Sequence, residues 1–350
     1  MNEQMNAPKI KKETKNKIRV EFDRVSGWER FKLKYLTLRF VGLTLFKIAR
    51  FILLVGISYV IIYPFIAKIA ASVMSPEDIT DVTVKLLSKN PTLDQYKYII
   101  IQNNFFEALT NTTILSLSAA LIQTFICCLV AYGFAKFKFK GNGFLFLLVV
   151  LTMVVPHGVL QFAMQQNFAY FDPLGIVTLL NKIGLAESNS MSLMNSNVPL
   201  YLLSFGAIAF KNGLYIFMLR QFFKGVPDEL EESAYIDGSG VFRTFFTIII
   251  PLSVPMMITV FLFAFSWQWT DNFYTELFYV GSKAPTLMPD IVAVPKKLQL
   301  DSSYPQKAIT DYSSAIKNTA GLLIMAPLMV MYLFCQKYLV AGIERSGITG

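Results

Sequence analysis

The sequence predicts an all-α membrane protein with six transmembrane helices, and three observations support this prediction. Of the 350 residues, 54% are hydrophobic and only 16% are charged, and the mean hydropathy is +0.48. Several apolar runs approach the roughly 20 residues that a helix needs to cross a bilayer. Polar and charged segments separate these runs. A soluble enzyme of this length would not carry so many apolar runs.

Residues 1–45 form a basic, polar segment. Residues 1–50 contain 13 Lys and Arg against five Asp and Glu. Because no RNA-binding motif accompanies this charge, it indicates a cytosolic anchor on anionic lipid and no nucleic-acid partner. An amphipathic surface helix is expected over 27–45. The segment is not a secretory signal, because its basic part is far too long. We therefore expect it to be retained as a cytosolic N-terminal tail.

The remaining residues, 46–350, are predicted to form one transmembrane domain. The six spans are expected at 46–73, 112–134, 144–162, 199–222, 251–269 and 319–340. An even number of spans places both termini on the same side of the membrane. That side carries 21 Lys and Arg, whereas the opposite loops carry nine and no arginine. The positive-inside rule therefore predicts that both termini are cytosolic.

An acidic segment joins the fourth and fifth spans, and it is predicted to be cytosolic by the same count. Pro227 and the acidic residues that follow it, through Glu232, indicate the start of a helix. Gly238 and Gly240 are expected to end or bend that helix. Three phenylalanines then follow at helical spacing: Phe242, Phe245 and Phe246. We expect a helix–turn–helix finger over 223–250 with an exposed apolar side.

The finger resembles the coupling loop, or EAA loop, of binding-protein-dependent ABC importers. Glu232-Ser233-Ala234, Gly238 and the Ile-Ile-Ile-Pro run at 248–251 stand where the family has Glu-Ala-Ala, Gly and Ile-x-Leu-Pro. Ser233 departs from Ala, and Ile250 departs from Leu. An ordinary amphipathic connecting loop is the alternative.

This resemblance implies an ABC type I importer permease fold with a cytosolic coupling helix. In the family the finger docks into a groove on a cytosolic ATPase and carries its motion to the membrane helices. The residues implied in ATPase coupling are Glu232, Ala234, Asp237, Gly238, Phe242, Phe245 and Pro251. Among them, the phenylalanines would form an apolar plug together with Phe246, although packing on the chain's own helices is the alternative for these rings.

Four further segments resemble the carbohydrate-uptake permeases, in the maltose-permease or MalG-like branch, so that the resemblance covers about 46–350. They are Ala-Tyr-Gly-Phe-Ala-Lys-Phe-Lys-Phe-Lys-Gly at 131–141, Leu-Arg-Gln-Phe-Phe at 219–223, Ser-Trp-Gln-Trp-Thr-Asp-Asn-Phe at 266–273 and Gln-Lys-Tyr-Leu-Val-Ala-Gly-Ile at 336–343. The 1–45 tail and the 163–198 and 270–317 loops are longer than the family pattern. Both loops are expected outside, where the solute-binding protein docks.

The resemblance implies a permease subunit of the bacterial cytoplasmic (inner) membrane that moves a sugar or oligosaccharide by alternating access. The implied partners are a second homologous permease subunit, two ABC ATPase subunits, an extracellular or periplasmic solute-binding protein and the lipid bilayer. ATP and Mg²⁺ would bind to the ATPase subunits, and this chain would bind no cofactor. An ABC permease for a peptide or amino acid is the alternative, although the C-terminal segment and the end of the fifth span favour a sugar.

Residues with the chemistry of catalysis are sparse. The sequence contains no Walker A motif and no Gly-rich phosphate loop, so ATP hydrolysis by this chain is not expected. The lone His157 has no acid near it in sequence and is expected to be structural. The three cysteines lie in apolar runs without metal-ligand spacing. We therefore assign no catalytic, metal or cofactor residue. A membrane-bound enzyme would need such residues, and a secondary carrier would show inverted repeats.

Five residues are candidates for the substrate path. Lys211 is predicted inside the fourth span, where an ionisable group normally faces a watery cavity or a partner. We expect it to face the translocation path, with a structural ion pair or a snorkelling position as the alternative. At the outer end of the fifth span lie Trp267, Trp269, Asp271 and Asn272. Their aromatic faces and polar groups suit sugar rings and hydroxyls, although tryptophan is also common in interfacial belts.

Overall fold

The computed structural model describes residues 10–13, 17–20, 28, 38–185, 187–280, 285–293 and 306–347. It divides the chain into two compact units, Met1–Ala67 and Lys68–Gly350. The surface helix predicted over 27–45 lies mostly outside the described residues, as does much of the 270–317 loop.

The first unit contains an antiparallel hairpin and most of one long helix. Strand β1 (Ile10–Glu13) pairs with β2 (Lys17–Val20), with Ile10 opposite Val20. The sequence analysis did not predict this hairpin. Helix α1 (Leu38–Ala71) begins before the predicted first span. Its large apolar side chains, such as Phe51 and Val60, are exposed, as expected for a helix surrounded by lipid.

The second unit is helical. Its helices are α2 (Pro76–Thr80), α3 (Asp94–Lys97), α4 (Phe105–Lys136), α5 (Asn142–Val154), α6 (His157–Ala169), α7 (Ile176–Lys182), α8 (Val198–Phe205), α9 (Asn212–Lys224), α10 (Glu229–Ile236), α11 (Val241–Thr244), α12 (Ile250–Trp269), α13 (Phe273–Phe278) and α14 (Gln306–Gly347). Two π-helical turns lie at Tyr98–Gln102 and Phe245–Ile249, and two 3₁₀ turns lie at Pro173–Gly175 and Met288–Val292.

Fewer than six continuous helices match the predicted spans. In the described part of the chain, four helices are long and apolar enough to cross a bilayer: Gly42–Ala71, Phe105–Lys136, Val241–Trp269 and Ala308–Val340. A fifth is present if α5 and α6 count as one span, bent by 100°. Pro156 lies at this bend, and proline disfavours a helical conformation in the residue before it. The structure therefore agrees with an all-α membrane protein. The number of helices that are long and apolar enough to cross a bilayer is four or five, not the six that the sequence predicts.

The predicted fourth span is divided into α8 and α9 by a non-helical break. Ala207 has φ 56° and Lys211 has φ 70°, so both lie in the left-handed region. Non-glycine residues occupy this region at a cost of about 1–3 kcal/mol each, and such residues cluster at functional sites. The break corrects the prediction for Lys211, which precedes the first turn of α9 and does not lie inside a continuous helix.

Helix α4 is the centre of the second unit. Helices α8, α9 and α12 pack on it, and α14 packs on α12. The buried side of α4 consists largely of small residues, among them Ala119, Ala120, Cys127, Cys128 and Ala131. Small side chains let neighbouring backbones approach closely, which is how helices associate within lipid.

The two ends of α4 carry different structures. Near its first residues, the Asn103 side-chain amide donates hydrogen bonds of 2.7 Å to the carbonyl oxygens of Ile291 and Ala293. At its last residues, Lys136 contacts the acidic segment that follows α9. Because α4 has 32 residues, these two structures lie about 48 Å apart along a helix that rises about 1.5 Å per residue.

Gly342 lies where α14 packs on α12. A Cβ atom at this position would overlap Thr259 Oγ1 and lie 3.1 Å from the carbonyl oxygen of Pro255. We expect Gly342→Ala to lower the thermal unfolding midpoint, because overpacking costs about 1–3 kcal/mol. Gly321→Ala in the same helix is the matched control, since nothing lies within 4 Å of its added Cβ. Thermal unfolding of the two purified variants measures their midpoints. Equal midpoints for Gly342→Ala and Gly321→Ala would contradict the close packing of α14 on α12 at Gly342.

Candidate functional site

The first arm of the acidic finger is α10, whose two ends follow from its sequence. Three glutamates occupy its first turn, where the partial positive charge of the helix N-terminus favours anions. At the other end the Gly238 N–H donates to the Tyr235 carbonyl (3.0 Å) and the Ser239 N–H donates to the Ala234 carbonyl (2.9 Å). These two bonds form a Schellman motif. Gly238 has φ 82° and open space around it, so glycine serves here for its backbone conformation.

The second arm of the finger is continuous with the fifth span. Helix α11, the π-helical turn and α12 form one run, Val241–Trp269. Pro251 has no N–H to donate, and just before it the Ile250 N–H donates to the Phe245 carbonyl, five residues back. The predicted boundary at residue 251 is therefore corrected to Val241. A force on the second arm reaches the membrane span without passing through a loop.

Three side chains connect the first arm to the end of α4, and we call them the clamp: Tyr132, Lys136 and Glu231. The Tyr132 hydroxyl donates to Glu231 Oε2 (2.8 Å), and Lys136 Nζ lies 3.4 Å from Glu231 Oε1. Both charged side chains are buried. Lys136 Nζ also donates to the Val226 carbonyl oxygen at 2.6 Å. The clamp ties the finger to the central helix.

Lys136 has a second acidic partner, Asp228, which is largely exposed. A hydrogen bond from Lys136 lowers the pKa of the Asp228 carboxyl below its usual value. An ion pair with an exposed partner contributes little, whereas the longer pair with Glu231 is buried on both sides. Sequence reasoning missed all three clamp residues, although Tyr132 and Lys136 lie in the family-like segment 131–141.

The predicted coupling residues divide into an exposed set and a buried set. The exposed residues are Glu232, Asp237, Gly238, Phe242 and Pro251, and the buried ones are Ala234 and Phe245. Phe245 is only 2% exposed and its ring lies 4.9 Å from that of Tyr132. The structure therefore corrects the prediction that Phe245 is part of an exposed apolar plug.

The apolar surface of the finger is nevertheless extensive. We call it the finger tip, and its residues are Leu230, Tyr235, Ile236, Val241, Phe242 and Phe246. Ile236 is 86% exposed and Phe242 is 76% exposed. Large apolar side chains exposed within one short segment indicate a site of interaction with another protein or a membrane.

A second site lies at the break between α8 and α9. The Lys211 ammonium nitrogen is 4.5 Å from the ring centroid of Phe210 and 4.9 Å from that of Trp267. These distances are typical of cation–π contacts. The structure thus brings together two of the predicted substrate-path residues, Lys211 and Trp267, and adds Phe210, which sequence reasoning missed.

Of the other three predicted substrate-path residues, Asp271 lines a small cavity with Phe210 and Trp267, whereas Trp269 and Asn272 do not line it. Trp269 is 1% exposed and its indole N–H donates to the Ile324 carbonyl (3.0 Å), so it packs between helices. The two carboxylate oxygens of Asp271 accept the backbone N–H groups of Tyr274 and Thr275 at the start of α13. Asn272 is exposed. Trp269 is therefore a structural residue in this arrangement, and the substrate-path role of Asp271 stays a prediction.

His157 and two cavities lie near the break between α8 and α9. The His157 ring shares a 2.8 Å hydrogen bond with Tyr274 and packs on Phe210. A cavity of about 20 Å³ is lined by Phe210, Trp267, Gln123 and Gln268, among others. A larger one, about 790 Å³, lies in the angle between α5 and α6 and also contacts His157. The described residues contain no group of three or more His, Cys, Asp or Glu that could hold a metal ion.

Comparison with known proteins relates this architecture to transporters. Residues 123–345 match the family described as the binding-protein-dependent transport system inner membrane component. The chain is 26% identical to the polygalacturonan/rhamnogalacturonan transport system permease protein YtcP of Bacillus subtilis (strain 168), over 83% of this chain and 93% of that protein. It is 25% identical to the galactooligosaccharides transport system permease protein GanQ of the same organism, over 86% and 94%.

A solved structure shows the same fold. The chain superposes with a TM-score of 0.61 on a chain in the crystal structure of a bacterial ABC transporter involved in the import of the acidic polysaccharide alginate. The sequence identity is 18%, and the similarity covers 84% of this chain and 96% of the other.

Proposed function

The chain belongs to the family of binding-protein-dependent transport system inner membrane components, and we propose that it is the permease subunit of an ATP-driven importer for a sugar or oligosaccharide. It is a multi-pass membrane protein and a transport subunit, not an enzyme. The family resemblance drawn from the finger and its flanking segments is confirmed. Relatives named for polygalacturonan, rhamnogalacturonan and galactooligosaccharides support a saccharide as the substrate.

The structure of the finger is the main support for the proposed mechanism. Its tip exposes aromatic and aliphatic side chains such as Phe242, which suit the helix-in-groove mode of recognition. Its second arm continues into α12, and its first arm is clamped to α4. A displacement of the tip therefore moves two packed membrane helices together. In our proposal the tip inserts into a groove of a cytosolic ATPase, whose closure with ATP and Mg²⁺ drives alternating access.

The full transporter in this proposal contains this chain, a second homologous permease subunit and two ATPase subunits. A solute-binding protein delivers the substrate, in keeping with the family's dependence on binding proteins. Both termini and the finger lie in the cytosol of a bacterial cell, as the distribution of Lys and Arg supports. Lys211 and Trp267 lie along the substrate path, where a break in the fourth span exposes polar groups.

Uptake by the purified transporter in liposomes tests the function. We expect saccharide uptake with the binding protein outside and ATP and Mg²⁺ inside, and no uptake without nucleotide. Uptake by this chain alone, with no nucleotide, would instead support a secondary carrier. Strict preference for peptides or amino acids would support the non-sugar alternative.

Cysteine labelling tests the orientation. Ile236 and Leu174 are 86% and 99% exposed, and they lie in the finger and in the 163–198 loop. In a variant lacking Cys127, Cys128 and Cys335, we expect a membrane-impermeant maleimide to label Leu174→Cys in right-side-out vesicles. Ile236→Cys should react only after the vesicles are opened. The reverse pattern would overturn the proposed orientation and the docking of the finger on a cytosolic ATPase.

A further inference from the structure

The Lys211 ammonium is a cation without an anionic partner in the described part of the chain. None of the ion pairs or hydrogen bonds there involves its Nζ atom. A charged group within a membrane protein normally pairs with another group or faces a water-filled path, because its desolvation is costly. Asp271, the acid that follows the fifth span, forms no ion pair with Lys211 among the described residues. Its carboxylate oxygens accept backbone N–H groups of α13, and the residue lines a small cavity with Phe210 and Trp267.

The backbone holds this cation in a strained position. Lys211 has φ 70° and follows Ala207, which has φ 56°, within one short break. Such strained residues cluster at functional sites. Here Nζ lies close to the faces of both Phe210 and Trp267.

The groups around Lys211 have the chemistry of a sugar site. Trp267 is 46% exposed, so part of its side chain is open to a ligand. The cavity that Gln268 lines with Phe210 and Trp267 is about 20 Å³, room for one water molecule, so the contacts to a sugar come from Lys211 and Trp267.

We propose that Lys211 and Trp267 form a subsite for a saccharide that carries a carboxylate, such as a uronate residue. The ring of that residue packs on Trp267, and its carboxylate pairs with the Lys211 ammonium. The inference rests on the proposed function, and it narrows the substrate from saccharides in general to acidic ones. A neutral sugar would leave the ammonium unpaired within the membrane path.

Two probes test this proposal: trigalacturonate and its methyl ester, in which each carboxylate is replaced by an uncharged ester group. The measurements are uptake into liposomes by the complete transporter and equilibrium binding of each probe to the transporter in nanodiscs without the binding protein. A hydrogen bond to a charged group contributes about 1.5–3 kcal/mol, which corresponds to roughly 10- to 150-fold in affinity. We expect Lys211→Met to weaken trigalacturonate binding by about this factor and to leave methyl-ester binding unchanged.

Two further variants separate charge from structure. Lys211→Arg keeps the positive charge and should retain most of the trigalacturonate binding. Lys317→Met removes an exposed lysine from α14 and should match the wild type with both probes. Co-purification with the ATPase subunits confirms that each variant assembles.

The outcomes distinguish this inference from the function on which it rests. If Lys211→Met weakens the binding of both probes equally, or the binding of neither, the proposed carboxylate subsite is wrong. If the wild-type transporter moves neutral galactooligosaccharides but neither binds nor moves trigalacturonate, the inference fails and the sugar importer stands. If it moves no saccharide at all, the proposed function fails as well.

Discussion

Lys136→Met is expected to abolish most ATP-driven uptake, because it breaks the clamp between the finger and the central helix. The substitution leaves the buried Glu231 carboxylate without its cation, and removing one partner of a buried ion pair costs about 3–5 kcal/mol. It also removes the hydrogen bond from Nζ to the Val226 carbonyl. We expect faster amide hydrogen exchange in α10 and ATP hydrolysis that no longer drives transport. Exchange and uptake measured on the assembled transporter check both expectations.

Two variants make this result specific. Lys138→Met removes an exposed lysine two residues farther along the chain and should leave exchange in α10 and uptake near wild-type values. The double variant Lys136→Met with Glu231→Gln removes both charges, and the amide oxygen of the introduced side chain can still accept the Tyr132 hydroxyl. We expect the double variant to recover part of the protection of α10. An equal loss in Lys138→Met, or no recovery in the double variant, would contradict the assigned role of the buried pair.

Phe242→Asp is expected to weaken binding of the ATPase subunits without unfolding the permease. Phe242 is the most exposed aromatic residue of the finger tip. An aromatic anchor at the centre of an interface contributes about 2–4 kcal/mol, so the affinity should fall roughly 30- to 1,000-fold. Titration of the purified ATPase against the permease in nanodiscs measures this change. Thermal unfolding of the permease alone should be unchanged, because the side chain has little packing to lose.

Leu174→Asp is the control for this experiment. Leu174 is even more exposed and lies in the 163–198 loop, outside the finger. The same change from an apolar to an acidic side chain should therefore leave ATPase affinity unaffected. Unchanged affinity in Phe242→Asp, or an equal decrease in Leu174→Asp, would argue against the finger tip as the docking surface.

The features that follow from local composition were predictable from the sequence. Apolar runs determine which segments can lie in lipid, because the hydrophobic gain depends on the run itself. The acidic start of α10 and its end at Gly238 follow from the helix dipole and from the freedom of glycine to adopt positive φ. These local signals located the finger between two membrane spans and identified the family that the match over 123–345 confirms.

The burial of individual side chains was not predictable in the same way. Glu231 and Glu232 are neighbours in sequence, yet Glu231 is buried against α4 and Glu232 is exposed. Trp267 and Trp269 lie two residues apart and face different surroundings, because successive helical residues point about 100° apart around the axis. Which of each pair points inward depends on the helix that packs beside it.

The amino-acid sequence by itself therefore determined the membrane class of this chain, its family and the position of its acidic finger. Only the tertiary structure decided that Glu231 joins the clamp, that Phe245 is buried, and that Lys211 lies over Trp267 at a break between two helices. The physical reason is the distance along the chain between the residues that determine each feature. Helix starts, helix ends and lipid-compatible runs depend on residues within a few turns of one another, whereas Tyr132 and Glu231 meet across 99 positions of the chain. Such contacts exist only after the helices have packed.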